Sequence, residues 1–305
     1  MSVYLIRRAV NTLVVLVGVA TLAFFLVRLT GDPVTLLLPL NATPEAIAKL
    51  RSTLGLDQPL WVQYLRYLES IVKGDFGNSM RFSLPAFDLF KARFPATLEL
   101  VGIATAVAVL LGIPFGVVAA ASRGSVLDAL LMGLAALAQA VPGFYLGLML
   151  MLLFSVELGW LPTGGRGSWQ QLVMPVAVLS SFLIALLARM TRSACLEVAG
   201  QDFIRTGRAK GIGEARLLLK HVLKNALIPI ITLIGLQVGT LFSGAVVTET
   251  IFSWPGIARL ALDGIYSRDY PIVQVVVVMS ASIFVFINLL VDIIYIAVDP
   301  RIKYG

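Results

Sequence analysis

The run LVGIATAVAVLLGIPFGVVAAAS, residues 100–122, passes 23 positions without an Asp, Glu, Lys or Arg. At the rise of an α-helix it is long enough for a hydrocarbon layer that needs about 20 helical residues. Working outward from it, equally uncharged runs occupy residues 9–27, 129–156, 167–188, 225–248 and 270–291. These runs are apolar on every face, whereas a β-barrel would show many amphipathic segments of about ten residues. The sequence therefore predicts an all-α, polytopic membrane protein with six transmembrane helices, forming a single transmembrane domain over residues 1–305. Composition agrees. A chain of 305 residues that is 58% hydrophobic, with a mean hydropathy of +0.91, lies far outside the mix of a water-soluble domain.

Charge sets the expected orientation. Arg7 and Arg8 precede the first run, and no small-x-small cleavage site follows Val27, so an uncleaved anchor is expected rather than a secretory signal. Arg7, Arg8, Arg123, the 189–225 loop, Arg301 and Lys303 form a strongly basic set on one side. The positive-inside bias puts that set, and both termini, in the cytoplasm. The single cysteine, Cys195, excludes an internal disulfide. The outside segment 28–95 is long enough for several short helices. Thr43-Pro44-Glu45 reads as an N-cap followed by Pro at the first helical position, and Gln58-Pro59 opens a second helix. In that helix Leu60, Tyr64, Tyr67, Leu68 and Ile71 recur at helical spacing. The segment is either a structural cover or a contact surface for an outside partner.

Within the spans, Gly102, Gly112, Pro114 and Gly116, then Gly133, Pro142, Gly143 and Gly147, then Gly235, Gly239 and Gly244, permit close packing and kinking. Gln139, Gln237 and Asn288 are the polar side chains at depth; they either bond helix to helix or line a translocation path. Asp292 lies nearer the inner end of the last run. The chain holds no GxxxxGK[ST] phosphate loop. Its lone His221 has no Cys or His at metal-ligand spacing and no nucleophile partner. Neither a metal, a bound cofactor nor catalysis by this chain is expected.

The loop between the fourth and fifth runs carries eight Arg/Lys against three acids from Arg189 to Lys224. Helix-compatible spacing over residues 193–205 places Leu196, Ala199 and Phe203 on one apolar stripe. Gly207, Gly211 and Gly213 are expected to break or turn the chain, and a helix resumes over residues 214–225 with Leu217, Leu218, His221 and Val222 on neighbouring turns. Gly211 is suited to a backbone angle denied to other residues, and Arg205, Arg208 and Lys210 can pair with acids on a partner. An anchor to anionic lipid of the inner leaflet would use the same charges.

The segment GQDFIRTGRAKGIGEARLLLKHVLKNALIP, residues 200–229, resembles the cytoplasmic coupling loop of permease subunits from bacterial ATP-binding-cassette importers of the dipeptide and oligopeptide family. The runs GDFGNSM at 74–80, RFPATLEL at 93–100, IGLQVGTLFSGAVVTETIFSWPGIARL at 234–260 and INLLVDIIYIAVDPRI at 287–302 are similar to the same family, and in particular to the first of its two permease subunits. Lys224 stands where many of the wider importer class carry proline, an arrangement that the peptide branch shares. The resemblance implies a type I importer permease fold in the bacterial inner membrane. It implies a heterodimer with a second permease, two ATPase subunits that hold ATP and Mg2+, an extracytoplasmic solute-binding protein, and lipid but no nucleic acid as partners. Residues 197–213 would take the coupling role, with Glu197, Asp202, Phe203, Arg205, Arg208, Lys210 and Gly211 as the contact set. The run SVELGWLPTGGRGSWQ at 155–170 resembles the glutathione-importing branch, while dipeptide, oligopeptide and nickel permeases share the framework. A membrane scaffold that recruits a soluble protein through the basic loop is the rival expectation.

Overall fold

The structure is a computed structural model that describes residues 2–29, 34, 38, 42–53 and 55–298. For residues 2–9, 27, 243 and 290–298 it describes the backbone alone. The side chains of Arg7, Arg8, Asp292, Arg301 and Lys303, read above from the sequence, lie outside the described residues. No strand occurs among the described residues beyond an isolated bridge between Asn78 and Pro85. The chain divides into two compact units, Met1–Pro95 with Gly256–Phe286, and Ala96–Pro255 with Ile287–Lys303.

The first unit holds α1 (Ser2–Leu29), α2 (Pro44–Thr53), α3 (Leu60–Lys73), the start of α4 (Ala86–Ala121), α11 (Ile257–Tyr266) and most of α12 (Tyr270–Val298). The expected cap is present: Thr43 Oγ1 accepts the Ala46 N–H at 3.3 Å, which satisfies one orphan donor at the start of α2. Pro59 opens α3, and Gly74, at φ +72°, closes it with its N–H turned back onto helix carbonyls. Tyr67 from α3 is buried against Phe24, Phe76 and Phe90, with Ile272 and Leu260 completing the cluster, and Tyr64, Leu68 and Ile71 pack on its edge. Leu60 stays exposed. Burial pushes the Tyr67 phenol up to about 12, against the opposing pull of the Arg28 charge. Asp269 ties the loop before α12 to residues 79–81: its Oδ2 accepts from Ser79 Oγ at 2.5 Å and from the Arg81 N–H at 3.1 Å.

The second unit is organised on α7 (Gln170–Ala199), which packs against α5 (Val126–Ala140), α6 (Gly143–Leu150) and α10 (Leu223–Ile251). The core runs through Leu100, Leu183, Leu187, Ile230 and Trp254. Gly112 and Gly116 on α4 let two backbones meet: a Cβ at Gly116 would lie 2.5 Å from Ala188 O, and one at Gly112 2.9 Å from Ile184 O. Asp128, 4% exposed, receives a two-pronged bond from Arg192, Nε to Oδ1 at 2.6 Å and Nη2 to Oδ2 at 2.7 Å. The Gly124 N–H also reaches Oδ2, at 3.0 Å. This fork joins the start of α5 to α7.

Among the described residues four helices, Ala86–Ala121, Gln170–Ala199, Glu214–Phe242 and Tyr270–Leu289, are long and apolar enough to cross a membrane, and a bent pair makes up to five. In α1 the apolar stretch is Val10–Leu26. The single helix expected from the run 129–156 is not what forms. Val126–Ala140 and Gly143–Glu157 are separate arms bent by 98°. The cause is local: Pro142 has no N–H to donate and holds the preceding Val141 in extended geometry, ψ 120°. The second arm finishes as a π-helical stretch, Met151–Glu157.

Candidate functional site

The basic loop folds as a compact hairpin on the root of α7 and α10. α7 ends at Ala199, and the chain turns through Gly200 and Gln201 into α8 (Asp202–Ala209). It turns again at Gly211, at φ +78°, and re-enters helix as α9 (Glu214–Arg216), then a π-helical stretch, Leu217–Val222, that leads into α10. The left-handed turn expected at Gly211 is therefore present, and open space surrounds the position of its missing Cβ.

Two other expectations for this loop are corrected. Residues 193–205 do not form one helix, because the break at Gly200 and Gln201 restarts the register. Leu196, Ala199 and Phe203 thus share no stripe: the buried face of α8 is Ile204 with Gly207, and Phe203 is 45% exposed. Nor does Gly207 break the chain. It lies inside α8, where a Cβ would sit 2.8 Å from Leu217 Cδ2, so its role is close approach.

Ile204, 1% exposed, joins the cluster of Cys195, Val198, Leu217 and Val222 and fixes α8 to the body of the unit. Arg208 reaches across the Gly211 turn to Glu214, Nε to Oε1 at 2.5 Å and Nη2 to Oε2 at 3.0 Å. That carboxylate holds the Arg208 guanidinium above its usual range. Arg205 Nη1 lies 3.5 Å from Asp202 Oδ1, with both side chains well exposed. The exposed residues of the hairpin include two large apolar side chains, Phe203 on α8 and Leu219 on the π-helical stretch, together with the charged Glu197, Asp202, Arg205 and Lys210. A clamped helix of this make-up can fill a groove and pair with charges at its rim. Ile204 is absent from the sequence-based site set, while Glu214 and Leu217 figure there only as positions on the returning helix. The signal available for Ile204 was its i,i+3 spacing to Gly207, read from a helix starting at Asp202.

The three polar residues at depth are not brought together. Gln139 Oε1 accepts from Arg189 Nη1 at 2.6 Å, while its Nε2 is buried without a partner among the described residues. Gln237 accepts from Thr240 Oγ1 at 2.6 Å and lines a mainly apolar cavity of about 410 Å³ with Phe144, Leu183 and Thr248, to which neither Gln139 nor Asn288 contributes. Asn288 is half-buried on α12.

The family model "Binding-protein-dependent transport system inner membrane component" matches residues 112–304, and its N-terminal companion matches residues 1–101. The chain belongs to this family. It is 43% identical over 302 residues, 99% of both chains, to the glutathione transport system permease protein GsiC of Salmonella paratyphi A. It is 40% identical over 334 residues, covering 99% of this chain and 98% of the relative, to the dipeptide transport system permease protein DppB of Escherichia coli strain K12. An inward-facing structure of the MetNI methionine ABC transporter shares the fold at TM-score 0.60 and 19% identity, over 69% of this chain and 96% of that one. The family member described here is thus an ABC importer permease and a multi-pass inner-membrane protein.

Proposed function

We propose that this chain is the first permease subunit of an ATP-driven importer of peptide-like solutes, and that the hairpin over residues 197–213 is where ATP hydrolysis in partner subunits is felt. Full-length identity of 40% or more to a glutathione permease and a dipeptide permease supports the solute class. The observation that carries the coupling role is Phe203, half-exposed beside the buried Ile204–Gly207 face that holds this short helix in place. Glu197, Asp202, Arg205, Arg208, Lys210 and Gly211 are its rim and turn. In this reading the chain crosses the membrane six times, with the bent pair α5–α6 as one crossing and α1 as another, and both termini and the hairpin face the cytoplasm. A second permease completes the membrane core, two ATPase chains hold ATP and Mg2+, and an extracytoplasmic binding protein delivers the solute. The chain itself carries out no hydrolysis.

The test uses the intact complex in lipid vesicles, with ATP hydrolysis and peptide uptake followed together. Phe203→Ala should release the ATPase chains or silence both activities. Normal assembly, hydrolysis and uptake in that variant would return the hairpin to a plain lipid anchor.

A further inference from the structure

At the end of α7 remote from the hairpin, the loop 158–169 holds one cation over a cavity. The two ends are separated by the length of a 30-residue helix, roughly 45 Å. The cavity, about 530 Å³, is lined by Glu99, Arg166, Trp169, Leu172 and Trp254 among others. Its floor is Trp254, fully buried, with its indole N–H bonded to Ala96 O at 2.8 Å. The Arg166 guanidinium carbon lies 5.9 Å from that ring. Trp169, 70% exposed, stands at the lip.

The loop is built to present Arg166. Before it, a Cβ at Gly164 would collide with Phe252 O at 2.1 Å. Gly165, at φ +92°, donates its N–H to the same carbonyl at 2.9 Å. From behind, the Gln171 amide brackets the turn, donating to Gly164 O at 3.0 Å and accepting the Ser168 N–H at 2.9 Å. Such a frame gives a charged group a fixed direction before any ligand arrives, which lowers the ordering cost of binding.

The ion pair that results is only half used. Arg166 Nε and Nη2 both approach Oε2 of Glu99, at 2.8 and 2.6 Å. Oε1 of the carboxylate and Nη1 of the guanidinium remain as the groups that an incoming molecule would meet. The pair is also reachable, with side chains 38% and 34% exposed. Two opposite charges in contact select a partner whose own opposite charges are equally close. That partner is an α-amino-acid head, in which ammonium and carboxylate share one carbon: it closes a ring of four alternating charges without parting Glu99 from Arg166. A peptide whose end charges are separated by a residue would have to pull the pair apart.

We propose that this cavity is a subsite for the α-amino-acid head of a transported solute, as found at the glutamyl end of a γ-glutamyl peptide. The proposal rests on the permease reading above. The probes are γ-glutamylglycine and α-glutamylglycine, isomers of equal charge that differ in whether ammonium and carboxylate share a carbon. Binding to the full complex in lipid nanodiscs, without the binding protein, is read by saturation-transfer NMR. The γ isomer should bind about tenfold tighter, as expected for one charged hydrogen bond gained, and Arg166→Gln and Glu99→Gln should each erase the preference. Equal binding of the two isomers to the unmutated complex would overturn the subsite, whatever the variants do. ATP-driven peptide uptake by the same complex with its binding protein separates the two readings: uptake without isomer preference in binding removes the subsite alone, and absence of any peptide uptake removes the permease reading.

Discussion

The two ends of α7 are finished on opposite plans. At its C-terminal end the chain makes a convex hairpin whose special glycine, Gly211, is surrounded by open space and is required for its φ of +78° alone. At its N-terminal end the chain makes a concave loop whose Gly164 is required for room, with a carbonyl where any side chain would begin. A projecting element needs a stiff turn and a bare outer face; a receiving one needs backbone brought hard against backbone. The same residue type serves both ends through different physics, so substitutions should behave differently at each.

The largest effect is expected at Gly164. Gly164→Val should cost about 3 kcal/mol or more, since overpacking a rigid contact sits at the top of the usual range, and thermal unfolding of the detergent-solubilised complex would show it. A variant with unchanged melting would mean that the loop can lift away from Phe252. Next comes Phe203→Ala, worth about 2 kcal/mol of subunit affinity if it is a central interface anchor; retention of ATPase chains on a tagged permease reads it directly. Gly211→Ala should cost about 1–2 kcal/mol through the left-handed backbone alone, and Gly211→Asn less, because Asn tolerates that region. Equal losses for Ala and Asn would show that volume rather than backbone angle is tested there.

Gly207→Ala sharpens the contrast, because there the hairpin behaves like the opposite end. Helix propensity favours Ala by about 1 kcal/mol, yet its Cβ would press on Leu217 Cδ2. Net destabilisation, relieved by a companion Leu217→Val, is the expected result in a thermal melt. The smallest effect is reserved for Arg208→Ala. Its exposed pair with Glu214 should change thermal stability little, and that small effect should fade further in salt.

Much of this was legible in the sequence. The long uncharged runs could be nothing but buried or lipid-facing helix, and Gly211, Thr43 and Pro59 declared their turns and caps. The failures have a common cause. Whether Pro142 kinks a helix or ends it depends on what packs on either side. Whether Gly200 interrupts a helix decides if Phe203 or Ile204 faces inward, and a restart of two residues exchanges them. The fork from Arg192 to Asp128 and the pair of Glu99 with Arg166 join residues 64 and 67 positions apart. No local pattern announces such partners. The cap at the start of α5, where Ser125 Oγ accepts the Asp128 N–H at 3.2 Å, fixes the helix end but not the partner of Asp128.

The elbow at Val141 and Pro142 has a consequence for the lipid around it. Each arm has 15 residues, a length of about 22 Å, well short of a hydrocarbon layer of about 30 Å. Neither arm can cross by itself. If the pair makes one crossing, as proposed above, the last carbonyls of one arm and the first amides of the other fall within the apolar layer, where bare backbone is not tolerated. On that reading, water or a neighbouring subunit stands at that corner. Gln139, with its buried, unpartnered Nε2, marks the place where acyl chains cannot be the solvent.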